Sequence, residues 1–322
     1  MINRRQFALS GALVASGGLA WGQAPYPNKP VHFIVPVSPG SATDVVVRVV
    51  AERLQSAGGF SNVVENKAGA GTTIAAAAVA QAEPDGYYIL ANSTAQTTAP
   101  FLYKKLPFDP VKDFVGVAPL ASIPNLLLVR DASPWRTVGD LVAAAKQAKS
   151  PLMYASAGTG TGTHLNAEKF RLAAGIPGVH VPYKGSPEAI ASVASGDVDY
   201  FFSPGASAVS LLKSGRVRAL AVGAPRRSSN WPDLPTTDEA GVPGSGYEFW
   251  TAFFAPAKTP AAVLKSLNSA VNAVLGQPEV RERLATLGAD PLSMSLDEFE
   301  AFMTKEQATT AQLVKAADIR PE

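Results

Sequence analysis

From residue 26 onward the chain alternates two kinds of segment: short runs of apolar, mostly β-branched residues, and longer segments whose apolar positions recur at helical spacing. The runs at 31–37, 62–65 and 87–91 read as strands, and the segments at 44–57 and 72–82 as helices. Strands separated by helices of ten or more residues imply parallel strand–helix–strand units. Residues 101–114 break the rhythm with two prolines and mixed charge. The apolar run at 115–129, interrupted by Pro119 and Pro124, is too long for one ordinary strand. A strand leaving one domain and entering another fits it, with the crossover near Ile123.

A second α/β set follows. Thr137 and Asp140 have capping-box spacing before a helix at 141–149. Strands are predicted at 152–155, 179–182, 197–202 and 217–222, with helices at 164–174, 189–195 and 206–214. Ser186-Pro187 and Ser203-Pro204 read as caps followed by first-turn prolines. Residues 225–246 form a loop-like tract rich in Pro, Gly and Ser, and 247–255 reads as the returning strand. The helix at 260–275 places Val263, Leu264, Leu267, Val271, Val274 and Leu275 on one face. A short helix at 278–288 comes next, and Ser295 and Glu298 form a capping box for a last helix carrying Phe299, Phe302 and Met303. The pattern predicts an α/β protein of two lobes joined by two crossing strands. Residues 25–123 and 247–322 form lobe 1, residues 124–246 form lobe 2, and a ligand cleft lies between them.

Two junctions stand out. Ser38-Pro39-Gly40-Ser41-Ala42-Thr43-Asp44 links the first strand to a helix opened by Thr43 or Asp44, and Gly158-Thr159-Gly160-Thr161-Gly162-Thr163 does the same before His164. A strand, a tight Gly turn and a helix start with hydroxyls is a layout in which free backbone N–H groups point at an anion. Neither junction is a P-loop, since no Gly-Lys-Ser/Thr follows, and neither fits the dinucleotide pattern Gly-x-Gly-x-x-Gly.

Composition narrows the function. The 322 residues are 47% hydrophobic and 17% charged, ample for packed cores and suggestive of two domains. Formal net charge is +2. With Arg4 and Arg5 removed, 26 basic residues remain against 26 acidic ones, which gives no reason to expect nucleic acid or an anionic membrane as partner. Those two arginines sit in Asn3-Arg4-Arg5-Gln6-Phe7-Ala8-Leu9, a twin-arginine form followed by small apolar residues to Trp21. Residues 1–22 therefore read as an export signal cleaved after Gly22, with a cut after Ala24 as the alternative. The segment is too short and Gly-rich to span a membrane.

Enzyme constellations are lacking. There is no cysteine, hence no disulfide, thiolate metal site or cysteine nucleophile. There is no Gly-x-Ser-x-Gly elbow, and His32, His164 and His180 lack metal-ligand spacing. His32 and His180 read as structural, whereas His164 is divided evenly between ligand contact and packing. Ser203 reads first as a helix cap and second as a ligand group. Asp44 reads as a cap whose charge must be turned away from an anion, and Lys184 as a solvated cation. Nothing implies a cofactor or metal.

Val35-Pro36 through Pro39-Gly40, with Thr43, Asp44 and Arg48, resembles the solute receptors of tripartite tricarboxylate transporters, the Bug family. The likeness continues through Glu65-Asn66-Lys67-Ala68-Gly69-Ala70-Gly71, Pro84-Asp85-Gly86-Tyr87, Lys112-Asp113-Phe114 and His180-Val181-Pro182-Tyr183-Lys184-Gly185. It extends to Gly215-Arg216-Val217-Arg218-Ala219-Leu220-Ala221, Leu234-Pro235-Thr236, Glu239-Ala240-Gly241 and Ala255-Pro256, nearly the whole mature chain. The resemblance implies a type II periplasmic binding protein fold. It also implies a carboxylate held through backbone N–H groups, hydroxyls and water on the two junction loops. The family usually has a second glycine where Ser41 stands, an aromatic where Val37 stands, and glycines where Thr72 and Ala75 stand. Ser41 adds a donor but takes room, and Val37 removes an aromatic wall.

The expected ligand-binding set is Val37, Pro39, Gly40, Ser41, Thr43 and Asp44 on the first loop, Ser93 beyond the third strand, Thr159, Gly160, Thr161, Gly162, Thr163 and His164 on the second loop, and Ser203. The expected function is non-catalytic: a monomeric periplasmic receptor that captures a small organic carboxylate and delivers it to integral-membrane permease subunits. The alternatives are a ligand-dependent periplasmic sensor, or an enzyme on a similar two-lobed fold acting on an anionic substrate.

Overall fold

A computed structural model describes residues 26–57, 59–228, 230–317 and 319. The expected export signal lies outside the described residues. In chain order the elements are β1 (Val31–Val35), α1 (Ala42–Ser56), β2 (Asn62–Asn66), α2 (Thr73–Ala80), β3 (Tyr88–Ser93), α3 (Ala95–Leu102), β4 (Phe114–Ile123) and β5 (Asn125–Arg130). Then come α4 (Val138–Gln147), β6 (Leu152–Ser156), α5 (Gly162–Ala174), β7 (Gly178–Pro182), α6 (Ser186–Ser195), β8 (Tyr200–Pro204), α7 (Gly205–Lys213) and β9 (Val217–Val222). The chain closes with β10 (Phe249–Pro256), α8 (Ala261–Leu275), α9 (Pro278–Thr286), β11 (Asp290–Pro291) and α10 (Leu296–Ala316).

These strands form two sheets, one in each lobe. The six-stranded sheet runs β11-β4-β10-β3-β1-β2 and the five-stranded sheet β7-β6-β8-β5-β9. Both are covered by helices on two faces, which is why their strands read as continuous apolar runs. One face of the larger sheet packs Phe33, Val35 and Phe253 against Val46, Val50, Leu267 and Val271 of α1 and α8. Its other face packs Ile34, Leu90, Trp250 and Phe254 against Ala75, Ala76 and Val79 of α2 and Phe299 of α10. The small alanine side chains let the α2 backbone approach the strands. The smaller sheet does the same, with Leu127, Tyr200 and Phe202 under α4 and α5, and Leu126, Leu128 and Phe201 under α6 and α7.

The parallel pattern holds for β1 with β2 and β3, and for β6 with β7 and β8. It fails at β10, antiparallel to β3 and β4, and at β5, antiparallel to β8 and β9. These are the strands by which the chain enters a sheet after leaving the other one, so they arrive running the opposite way. The two-residue β11 is also antiparallel, to β4. Pro124, which cannot donate a ladder hydrogen bond, separates β4 from β5. The run at 115–129 is thus one strand of each sheet.

Several local expectations are corrected. α3 was not foreseen, because its eight residues AQTTAPFL are too few to show a helical period and include Pro100. α1 begins at Ala42 rather than Asp44, α5 at Gly162 rather than His164, and α6 at Ser186 with Gly185 in the cap position. Ser203 is not a cap: it lies within β8, and α7 follows Pro204 without a side-chain cap. The capping boxes of Thr137 with Asp140 and Ser295 with Glu298 are both formed.

Candidate functional site

In open α/β sheets, ligands bind beyond the carboxyl ends of the strands. Here the carboxyl ends of β1, β3, β6 and β8 lead into the starts of α1, α3, α5 and α7, and the two lobes meet along these junctions. The first turn of each helix leaves N–H groups without an intrahelical acceptor. For α1 these belong to Ala42, Thr43 and Asp44, and for α5 to Gly162, Thr163 and His164.

On the first loop, Asp44 is buried and faces its own chain. It accepts from the Gly40 N–H at 2.8 Å, from Asn66 Nδ2 at 2.9 Å and from Arg48 Nε at 3.0 Å. Its charge is thereby matched and turned away from the cleft, and the Gly40 N–H is occupied. Pro39 and Gly40 are exposed at the outer edge, whereas Ser41 and Thr43 are buried. Val37 belongs to the lobe 1 core.

Ser41 reaches across to the other lobe, where its Oγ accepts from the Ser186 N–H at 3.2 Å. It thus caps the first turn of α6 in place of the glycine at that helix's own cap position. A Cβ on Gly185 would lie 2.5 Å from Ser41 Oγ and 2.8 Å from Ser38 Cβ, so the two positions are matched in size. Beside this contact, Ser38 Oγ donates to Glu188 at 2.7 Å and the Ser38 N–H to the Lys184 carbonyl at 3.4 Å.

The second loop is braced from within. Thr161 Oγ1 donates to the Gly158 carbonyl at 2.7 Å, Thr163 Oγ1 accepts from the Ala157 N–H at 2.9 Å, and the two hydroxyls are 2.9 Å apart. With the Thr161 proton committed to Gly158, Thr163 donates to Thr161. Both hydroxyls therefore shape the loop. Gly160 donates its N–H to His164 Nδ1 at 3.1 Å. The His164 ring stacks on His180 at 3.9 Å, and His180 Nε2 lies 2.6 Å from Ser156 Oγ. Burial, reinforced by the nearby positive charge of Arg171, lowers His164 to about 4. Burial and the neighbouring His164 lower His180 to about 3, against the opposing pull of Glu168. Both rings are neutral at ordinary pH, and His164 serves the loop as an acceptor.

Each loop meets the opposite lobe, but its direct partners there are other segments rather than the other loop: the start of α6 for the first, and α3 and the start of β10 for the second. A Cβ on Gly162 would sit 2.5 Å from Thr94 Oγ1 and 2.3 Å from the Phe249 ring, and one on Gly160 would sit 2.2 Å from Leu102. The Gly158 Cβ position is 3.7 Å from the Gly71 Cα. Between the lobes lies a cavity of about 540 Å³, lined by Pro36, Gly69 to Thr72 and Tyr103 on one side and by Ala157 to Thr159, Pro182 to Lys184 and Glu188 on the other. Thr159 is the one residue of the expected set that lines it. Ser93 ends β3 and is buried, and its N–H bonds to Asn92 Oδ1 at 2.9 Å. Ser203 is fully buried, with its hydroxyl 3.2 Å from the Pro204 carbonyl.

The sequence reading missed Thr94, Asn125, Asn166 and Tyr247. All four are buried at the junction of the lobes, and each has a side-chain polar atom without a hydrogen-bond partner among the described residues. Asn166 had one usable signal, its place four residues after Gly162 on the same helix face. Among the described residues no cluster of His, Cys, Asp and Glu fits a metal ion, and no helix is long and apolar enough to cross a membrane.

Two α/β lobes, two crossing strands and helix starts converging on the gap define the architecture of a periplasmic binding protein. Residues 46–319 match the tripartite tricarboxylate transporter family receptor, and the chain belongs to that family. It is 32% identical over 318 residues to Protein BugT of Bordetella pertussis, covering 97% of each chain. Among solved structures, the R. palustris protein Rpa4515 with adipate superposes with a TM-score of 0.89 at 34% identity, covering 92% of this chain and 100% of that one. MatC from Rhodopseudomonas palustris, with bound malate, gives 0.84 at 32% identity, covering 90% and 100%.

Proposed function

We propose that the chain is a periplasmic solute receptor that captures a small organic carboxylate between its lobes and hands it to a tripartite tricarboxylate-type membrane permease, without chemical turnover. In this reading residues 1–22 are a cleaved export signal, and the mature protein acts as a monomer. Residues 25–123 with 247–322 move against 124–246 about the two crossings. The observation that carries the proposal is electrostatic: the first turns of α1 and α5 open at the lobe junction, while the one acid on these loops, Asp44, is bonded to Gly40 and Arg48. A carboxylate at a helix start gains about 0.3–1 kcal/mol when exposed and up to about 2 kcal/mol when partly buried. Such terms hold a ligand that must later be released. The adipate and malate carried by two relatives support the ligand class.

A thermal-shift screen of mono-, di- and tricarboxylates, aromatic acids and amino acids tests it. At about one hundred times the dissociation constant the native state gains about 2.7 kcal/mol. For domains of 150–250 residues each kcal/mol raises Tm by roughly 2–4 °C. Lys184→Ala is expected to bind within a few-fold of the parent, because backbone dipoles carry the carboxylate. Loss of binding in that variant replaces the dipole account with a salt bridge, and no shift with any acid refutes the receptor reading.

A further inference from the structure

Four buried polar atoms at the lobe junction lack partners among the described residues: Thr94 Oγ1, Asn125 Oδ1, Asn166 Nδ2 and the Tyr247 hydroxyl. Thr94 follows the cleft end of β3, Asn125 opens β5 at the first crossing, Asn166 lies one turn beyond Gly162 on α5, and Tyr247 precedes β10 at the second crossing. They form one neighbourhood. A Cβ on Gly162 would meet Thr94 Oγ1 at 2.5 Å, and Asn125 Nδ2 donates to Asn166 Oδ1 at 3.0 Å. A Cβ on Gly223 would meet Asn166 Oδ1 at 2.7 Å, and the Gly223 carbonyl accepts the Tyr247 N–H at 2.8 Å. Thr94 is close enough to Tyr247 to influence its phenol, though the pair lacks hydrogen-bond geometry.

A buried polar group left unpaired is destabilising, and folded proteins rarely gather several in one place unless something completes them. What completes these is constrained by chemistry. The two asparagines share one hydrogen bond, so one amide donor and one carbonyl acceptor remain unmet whichever way the two amides are turned. None of the four residues carries a charge, and the Glu306 carboxylate that acts on the Tyr247 phenol is negative. Lys169 of α5 comes near, but its ammonium is bonded to the Gly246 carbonyl and faces Asp238, so a second carboxylate here would be desolvated without a free counter-charge.

We propose that Thr94, Asn125, Asn166 and Tyr247 form a neutral subsite that reads a ligand hydroxyl, a group that both donates and accepts, so that the receptor selects hydroxylated carboxylates over their unsubstituted counterparts. This rests on the carboxylate reading above. The test compares dissociation constants for propionate with lactate, succinate with malate, and benzoate with 4-hydroxybenzoate. The hydroxylated member of at least one pair is expected to bind about tenfold tighter or more, the worth of one or two neutral hydrogen bonds. In Asn125→Leu/Asn166→Leu the preference falls to within about twofold. Its melting temperature is held or raised, since apolar replacement of both partners removes the unmet groups. Thr94→Val, nearly isosteric, weakens the same preference and serves as a second variant if the double substitution fails to fold. Acid binding with no preference in any pair, or a preference that survives both variants, overturns the subsite and leaves the carboxylate reading standing. Absence of binding by every acid overturns both.

Discussion

At the scale of single residues, the second loop depends on an imidazole that must stay neutral. His164 Nδ1 accepts the Gly160 N–H, which it can do only unprotonated. Its folded pKa of about 4 lies below the ordinary 6.5, so the unfolded chain binds the proton more readily. The stabilisation is complete above about pH 6.5 and is lost as pH falls toward 4, by about 3 kcal/mol for His164 alone. His180, stacked on it, acts in the same direction. Urea unfolding at pH 7 and pH 4.5 is expected to show this fall, and His164→Asn, which keeps an acceptor near Gly160 but does not titrate, to flatten it. An equal slope in the variant assigns the acid sensitivity to other groups.

Two caps of the same chemistry separate elements that stabilise a lobe from elements that join the lobes. Ser295 caps α10 within lobe 1, while Ser41 caps α6 from across the cleft. Ser295→Ala is expected to lower unfolding free energy by about 1 kcal/mol and leave ligand affinity unchanged. Ser41→Ala is expected to weaken ligand binding by about fivefold, because the lost cap exists only when the lobes are together. Titration calorimetry beside denaturant unfolding separates the two effects. A Ser41 variant that loses stability but keeps its affinity would place its hydroxyl outside the closing contact. The end of α10 also bridges, with Val314 packed in one cluster with Leu102 of α3, Leu165 of α5 and Tyr247.

For the molecule as a whole, the direct contacts from Ser38 and Ser41 to α6, and from Gly160 and Gly162 to Leu102, Thr94 and Phe249, describe lobes drawn together. Hinge closure on ligand is the motion this architecture allows, and X-ray scattering is expected to give a smaller radius of gyration at saturating ligand than without it. Gly162→Ala inserts a methyl group where 2.3 Å separates the Cβ position from the Phe249 ring, and is expected to hold the lobes apart and abolish the compaction. An unchanged radius for the parent means the lobes meet without ligand, in which case Gly162→Ala alone should enlarge it.

Alternating apolar runs and amphipathic segments were enough to predict two α/β lobes and a crossing near Ile123, because burial on both faces of a sheet writes itself into local composition. The loops ending β1 and β6 were legible for a similar reason: glycines and hydroxyls at a helix start are local chemistry. The reversed direction of β5 and β10 was not legible, since a strand's sequence is the same whichever way its neighbours run. Nor was α3, whose polar residues are buried by contacts remote in sequence, as in the Thr97 hydroxyl bonded to Thr310 at 3.0 Å. The turning of Asp44 onto Gly40, the reach of Ser41 to Ser186, and the meeting of Thr94, Asn125, Asn166 and Tyr247 join groups from separate elements. Sequence alone placed the glycine- and hydroxyl-rich turns that lead into α1 and α5, within two residues of where those helices begin; only the tertiary structure decided which N–H groups and hydroxyls are already spoken for, because hydrogen-bond partners are chosen by proximity in space.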